Sequence, residues 1–366
     1  MIELQTLNQQ ALGDYISSPT FTQQPVLPIS QHRGRSHLRN PRLQADDTLL
    51  ILAWEDGQLL GYLGVLPDEL YGAGGQAERV GWLSCIWVSP KARGKGIGGR
   101  LTDRALSDWD GKVLASNYVP GIRKMYERTG AFASPPYRQT GLRLYLRSDF
   151  ASLLPPKGKR WEQVKPFLQL GDRLANVALD LRRQWWARRP LPLQLEYLAE
   201  ADREAAELIA EQSAVFRCRR TAAEWNWMLH YPWVLSAPAP DAVSRRYYFS
   251  AVDRHFSFHP VKVRDEQGRL LAFLVFSRRN QWLQMPACYH RDVPDVVARL
   301  IHDFALKCGA NTFTTFQPDI AAALQNRASP AFYRKPIHWD TLVGRAVSCW
   351  PAGGLLQDGD GDAGFT

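Results

Sequence analysis

Apolar side chains along this chain recur with two periods. Thr48–Trp54 is an apolar run of strand length. Glu55-Asp56-Gly57-Gln58 has turn chemistry, and Leu59–Leu66 is a second apolar run. Two such runs around Asp-Gly predict a hairpin. Trp82–Val88 predicts a further strand, stopped by Ser89-Pro90. Gly99–Leu106 then sets Leu101, Ala105 and Leu106 on one helical face. Val113–Tyr118 reads as a strand, Pro120 opens a helix over 121–129, and Gly130 caps it. Leu142–Leu146 reads as a closing strand and Ile2–Leu7 as an opening one. Residues 8–45 are polar, with Pro19, Pro25 and Pro28 and a basic set of His32, Arg33, Arg35, His37, Arg39 and Arg42. The stretch reads as a solvated loop or short helices, or as a lid over an anionic substrate or cofactor.

Residues 150–190 break this rhythm. Trp161–Phe167 and Leu174–Trp186 have helical spacing, and the second ends in Arg182, Arg183, Arg188 and Arg189. They predict a helical linker, or a basic amphipathic surface against lipid. From Leu191 the order of elements returns: a strand at Leu193–Leu198, a helix at Ala201–Gln212, and a hairpin at Val261–Phe276. Gly268-Arg269-Leu270-Leu271-Ala272-Phe273-Leu274 answers Gly57-Gln58-Leu59-Leu60-Gly61-Tyr62-Leu63. Trp282-Leu283 answers Trp82-Leu83, and Thr312–Phe316 answers the fifth strand. The pattern predicts an α/β chain of two tandem units, each a mostly antiparallel mixed sheet flanked by helices.

The chemistry concentrates between the strand and helix of the first unit. Arg93-Gly94-Lys95-Gly96-Ile97-Gly98 holds three glycines and two cations in six residues. A glycine loop entering a helix aims backbone N–H groups at one point, and the helix dipole makes that point favourable for an anion. No Lys-Ser/Thr ends the loop, as a P-loop requires, and no acidic residue stands where a dinucleotide fold binds ribose. The reading is a pyrophosphate cradle. The corresponding stretch of the second unit, Arg291-Asp292-Val293-Pro294-Asp295-Val296, has no glycine, one proline and two aspartates, and is not expected to bind such a group.

The stretch Val88–Gly98, with Arg-x-x-Gly-x-Gly after Val-x-Pro, resembles the acetyl-CoA loop of the GCN5-related N-acetyltransferases, the GNAT superfamily. Lys124-Met125-Tyr126-Glu127-Arg128-Thr129-Gly130-Ala131-Phe132 is similar to that family's Tyr-Glu-x-x-Gly-Phe helix end, with one residue inserted. The element order is also that family's. The resemblance implies acetyl-CoA as co-substrate, held by the N–H groups of Arg93, Gly94, Lys95, Gly96, Ile97 and Gly98, with charge from Arg93 and Lys95. It implies that Ile86 and Val88 lie along the pantetheine, with an N–H near Val88 at the thioester oxygen. It implies that Tyr126 protonates the leaving thiolate. Val119 stands where the family often has an asparagine, with Asn117 two residues earlier. The family often keeps a carboxylate base on the strand before the loop. Here that strand carries Trp82, Ser84, Cys85 and Trp87, so Glu78, just before it, or a residue of the second unit is the candidate base. Cys85 reads as an inert thiol or as the nucleophile of a ping-pong scheme.

Composition adds bounds. At 366 residues the chain can hold two cores, and its net charge of +9 suits an anionic ligand without choosing among CoA, nucleotide-sugar, nucleic acid and membrane surface. Five scattered cysteines, without Cys-x-x-Cys, predict neither a disulfide framework nor a zinc site, and a reducing cytoplasm. No signal peptide and no membrane span are expected. The partner expected is a small-molecule amine, with no nucleic acid and no metal. Cys218–Trp227 mixes cations and tryptophans, as a structural cluster or an aromatic wall for an acceptor. Asp358-Gly359-Asp360-Gly361-Asp362 reads as a flexible acidic tail, an acceptor contact or a weak cation site.

The expected organisation is an N-terminal GNAT domain over 1–149, a helical linker over 150–190, a degenerate GNAT-like domain over 191–345 and a Gly/Asp-rich tail over 346–366. The activity expected is direct acetyl transfer to an amine. By resemblance to tandem GNAT-like proteins of surface polysaccharide synthesis, the acceptor is an amino sugar or nucleotide-sugar. A non-catalytic acyl-CoA sensor and a Fem-type aminoacyl-transferase are the alternatives; the intact loop speaks against the second.

Overall fold

A computed structural model describes residues 1–116, 118–155, 158–188, 192–326 and 329–365. Asn117 and Arg189 lie outside the described residues. The elements in chain order begin with β1 (Glu3–Leu7), α1 (Gln9–Ser17), α2 (Gln31–Leu38), β2 (Leu50–Glu55), β3 (Gln58–Tyr71), β4 (Ala77–Val88), α3 (Ile97–Asp108), β5 (Val113–Ala115), α4 (Pro120–Arg128) and β6 (Tyr137–Tyr145). The helices α5 (Phe150–Leu153), α6 (Lys159–Gln163) and α7 (Lys165–Ala187) follow. After them come β7 (Gln194–Tyr197), α8 (Arg203–Gln212), α9 (Ala222–His230), β8 (Leu235–Ser236), β9 (Val252–Asp253), β10 (Phe256–Arg264), β11 (Leu270–Arg279), β12 (Trp282–His290), α10 (Pro294–Lys307), β13 (Thr312–Thr315), α11 (Pro318–Asn326) and β14 (Tyr333–Val343).

These elements form two compact units. The first comprises residues 1–139, 200–256 and 339–366, and the second 140–199 and 257–338. The units are therefore not the contiguous blocks 1–149 and 191–345 that chain order suggests. In the first unit the strands run β1-β2-β3-β4-β5, antiparallel except for the parallel pair β4–β5. The strand that closes this unit is not Leu142–Leu146 but the end of β14, where Leu342 and Val343 pair with β5. In the second unit β12 and β13 form the parallel pair, and β6 occupies the place beside β13 through Leu142–Tyr145. Each unit thus repeats hairpin, strand, helix, parallel strand, helix, and takes its last strand from the other end of the sequence.

Local chemistry explains the elements. Asp56 and Gly57 sit at φ 49° and 74°, the paired left-handed residues that a two-residue hairpin turn needs. Asn8, Ser30 and Asp202 cap α1, α2 and α8 through side chains that accept backbone N–H groups, and Thr221 and Glu224 form a capping box on α9. In the first unit Ile51, Leu63, Val65, Leu83, Ile97, Leu101, Ala105 and Leu342 make a buried core between sheet and α3. Gly81 lets the sheet approach that layer, since a Cβ there would lie 2.5 Å from Val65 and 2.9 Å from Trp109.

The stretch expected to be a linker belongs to the second unit. Asp172 on α7 accepts from Ser148 Oγ at 2.5 Å and from the N–H groups of Phe150 and Ala151. Arg183 donates to the Ala305 carbonyl at 3.0 Å. The docked face of α7 is therefore polar, while Phe167, Leu170, Leu174, Val177 and Leu181 point outward and are exposed.

The first unit also takes in the C-terminal Asp-Gly stretch and part of the basic set of 32–42. Arg42 and Arg220 are buried, and both meet the buried Asp68: Arg42 Nη1 at 2.6 Å and Arg220 Nη2 at 2.9 Å. Arg42 also contacts Glu224, and Arg220 Nε contacts Asp360 at 3.0 Å. Trp82 Nε1 donates to Asp68 at 3.0 Å. Charges so deep survive only when every member is paired. The expectation of a flexible acidic tail fails for that reason: Asp360 is needed by Arg220. Gly361 lies flat on Trp82, where a Cβ would come to 2.8 Å, and Phe365 stacks on Trp233 at 4.5 Å.

Candidate active site

β4 and β5 run together only as far as Leu83 and Ala115. β5 ends there, and β4 continues to Val88. Ser84–Val88 thus leaves the ladder with β5, and such a strand edge can take up an extended chain. On its other side β4 stays on β3 with one residue too many. Tyr62 faces Trp87 and Gly64 faces Ser84, so Leu63 alone spans Cys85 and Ile86. Cys85, at φ 58°, is the extra residue of this bulge. Ile86 and Val88 are half-buried along the open stretch and pack on the rim of the core.

The glycine loop follows. Gly94 and Gly96 sit at φ 86° and 72°, and a Cβ on either would meet nothing within 4 Å. Packing does not require these glycines; the left-handed backbone does. Gly96 is the residue before α3, whose first-turn N–H groups at Ile97, Gly98 and Gly99 have no acceptor within the helix. The open space over Gly94 and Gly96 and those N–H groups fit a diphosphate. The Ile97 side chain is 1% exposed and anchors the helix, so its backbone alone can serve a ligand. Gly98 admits α4: a Cβ there would lie 2.6 Å from Met125 Sδ. Arg93 is exposed. Lys95 Nζ pairs with Glu55 at 2.7 Å, so its charge is shared with the protein.

Tyr126 lies on α4, 2% exposed, in the same cluster as Leu83 and Ala115, with its ring 5.5 Å from that of Phe132. Burial pushes its phenol above the ordinary value, and the nearby Asp362 and Cys85 push it further. The hydroxyl is thus protonated at neutral pH and available as a proton donor.

Around the bulge stands a cluster of side chains drawn from distant parts of the sequence. Arg33 on α2 is 2% exposed. Its Nη2 donates to Ser84 Oγ at 3.1 Å and its Nη1 to Tyr247 Oη at 2.9 Å; Nη1 also contacts Cys85 Sγ. Its Nε donates to His37 Nε2 at 3.3 Å, and the guanidinium lies 4.0 Å over the Trp233 ring. Burial, then the Arg33 charge, keeps His37 neutral and able to accept. Ser84 Oγ donates to Asp362 Oδ2 at 2.8 Å. The residues of 32–42 named above thus divide: Arg33, His37 and Arg42 are internal, while Arg35 and Arg39 are exposed. Local sequence could not announce this cluster. The only signal was Asp-Gly alternation near residue 360, in which glycines allow close packing and aspartates meet partners.

Glu78 is not brought to this place. It sits at the start of β4, six residues before Ser84, or about 20 Å at ~3.3 Å per residue. There it accepts from Ser348 Oγ at 3.0 Å and Cys349 N at 2.8 Å, with Lys112 at 3.6 Å. These bonds overcome burial and hold its carboxyl below the ordinary value. Its role there is to fix the turn at 348–349. The structure therefore withdraws Glu78 as the base that the sequence suggested.

Comparison with known proteins agrees with this geometry. Residues 16–130 match the Acetyltransferase (GNAT) family. No curated protein matches the chain. Among solved structures, a conserved protein of unknown function from Enterococcus faecalis V583, described as a probable N-acyltransferase, superposes with a TM-score of 0.51 at 10% identity. The match covers 96% of this chain and 74% of that one. A GCN5-related N-acetyltransferase from Anabaena variabilis ATCC 29413 gives 0.51 at 11%, covering 93% and 72%. At such identities the likeness concerns the fold. Among the described residues no helix is long and apolar enough to cross a membrane, and no group of His, Cys, Asp and Glu could hold a metal ion.

Proposed function

We propose that this chain, which carries a GNAT acetyltransferase domain in residues 16–130, transfers an acetyl group from acetyl-CoA directly to the amine of a small acceptor. The observation that carries the reading is the parting of β4 from β5 after Leu83, with the open loop at Gly94–Gly96 at its far end and the buried Tyr126 in the core beneath it. Backbone N–H groups of 94–99 and the Arg93 guanidinium would hold the diphosphate, and Ile86 and Val88 would flank the pantetheine. The open backbone of 84–88 would supply the N–H that polarises the thioester carbonyl. Tyr126 would return a proton to the sulfur. The bulge at Cys85 sets where that N–H points.

An amino sugar or nucleotide-sugar is the acceptor class we favour. What supports it is the net charge of +9, which suits an anionic, nucleotide-linked acceptor. The test is thiol release from acetyl-CoA with a panel of amino sugars, nucleotide-linked amino sugars, amino acids and polyamines. Turnover with one class identifies the acceptor. Saturable acetyl-CoA binding with no turnover on any amine would leave the sensor reading, which the lack of a carboxylate at 79–88 favours.

A further inference from the structure

We infer that Asp362 is the base that deprotonates the acceptor amine, a carboxylate delivered to β4 by a segment about 280 residues further along the chain. The inference rests on the acyltransfer reading above and names a residue for a step that β4 cannot perform, since no carboxylate stands on it from 79 to 88.

Three observations converge. Asp362 Oδ2 accepts from Ser84 Oγ at 2.8 Å, and Ser84 precedes the bulge residue Cys85. Ser84 Oγ in turn accepts from Arg33 Nη2 at 3.1 Å, so the hydroxyl proton is committed to Asp362 and the carboxylate is oriented through it. Second, from Leu356 to Phe365 every residue is buried except Asp362, which is half-buried. A segment packed this closely leaves one acidic side chain partly accessible, and that one lies at the bulge. Third, the segment is fixed on both sides of it. Asp360 is bound by Arg220 at 3.0 Å and accepts from Gln357 N at 2.8 Å. Phe365 stacks on Trp233 at 4.5 Å and meets Trp227 edge-on at 4.9 Å. Gly361 and Gly364 permit this, since a Cβ would come within 2.8 Å of Trp82 at the first and 2.0 Å of Met228 at the second. Arg220 is by this account a positioning residue: it holds Asp360, and Asp360 places Asp362.

An acceptor ammonium gives one proton to the Asp362 carboxylate, which passes it to solvent. The amine lone pair then forms the C–N bond to the thioester carbon. The C–S bond breaks, its electron pair stays on sulfur, and the Tyr126 hydroxyl gives the thiolate a proton. The second proton leaves the amide nitrogen and restores Tyr126. Products are the N-acetyl amide, free CoA thiol and one proton.

The test uses the full chain with acetyl-CoA and whichever amine of that panel it turns over. Asp362→Asn and Asp362→Ala should lower kcat about 100-fold or more, leaving acetyl-CoA affinity by titration and the melting temperature near wild type. Formate added to Asp362→Ala should restore part of kcat, which a merely structural role would not allow. Wild-type turnover that survives Asp362→Asn, or a loss matched by a fallen melting temperature and not rescued by formate, overturns the inference and leaves the acyltransfer reading standing. Wild type that binds acetyl-CoA but turns over no amine overturns that reading itself.

Discussion

Ser84 Oγ lies 2.8 Å from Asp362 Oδ2, joining the middle of the fourth strand to a segment 278 residues away in sequence. The bond places an acidic group where the strand itself has none. It also ties the open edge of β4 to the buried ionic network, because Asp360, two residues earlier, is the partner of Arg220.

Tyr126→Phe removes the hydroxyl and keeps the ring on Phe132. We expect kcat to fall about 100-fold, within the range of a lost general acid, with acetyl-CoA affinity and melting temperature unchanged. Steady-state kinetics beside calorimetric titration check this; unchanged kcat would assign Tyr126 to packing alone.

Glu78→Gln should leave kcat near wild type, because the carboxylate serves the turn at Ser348 and Cys349. The expected cost is in stability, about 1 kcal/mol for weakened charge-assisted bonds. Urea unfolding measures the cost, and an activity loss of tenfold or more would return Glu78 to the mechanism.

Arg220→Ala leaves Asp68 and Asp360 without a common partner, and breaking a buried pair in this way costs roughly 3–5 kcal/mol. The pH dependence carries two signs. Burial opposes ionisation of Asp68, but Arg220 and Arg42 outweigh it and hold its carboxyl below the ordinary 3.8. Its stabilisation is therefore complete above 3.8 and is lost as pH falls through the lower folded value. At Asp360 burial wins over Arg220 and raises the carboxyl. Its ionisation costs stability as pH rises from 3.8 through the folded value. Asp360→Asn should thus remove a loss that wild type shows in mildly acidic solution, and Asp68→Asn should remove stability retained there. Unfolding free energy followed by tryptophan fluorescence from pH 3 to 7 tests both signs.

Much of the fold could be read from the chain because its signals are local. Asp56-Gly57 can hardly be other than a hairpin turn, and Gly94 and Gly96 mark backbone that L side chains avoid. What could not be read depends on distant partners. Arg33 looks like one of six basic residues in a polar stretch until Ser84, Tyr247 and Trp233 surround it. The segment 200–256 follows a strand in sequence, as a second unit should begin, yet it packs with the first because Arg220 and Trp233 find Asp68, Asp360 and Phe365 there. Leu142–Leu146 has the pattern of a closing strand and is one, in the other unit. Periodicity says which face of a strand is buried, not which neighbour it takes.

The central claim is that one acetyl-CoA binds at Gly94–Gly98. Isothermal titration of acetyl-CoA into the full chain should give one site per chain. Gly96→Asp with Gly98→Asp, which places two negative charges in the cradle, strains φ 72° at Gly96 and crowds Met125 at Gly98, should weaken binding at least tenfold. A thermal melt accompanies the variant to show that it is folded. Undiminished binding by a folded variant, or no binding by wild type, would contradict the account.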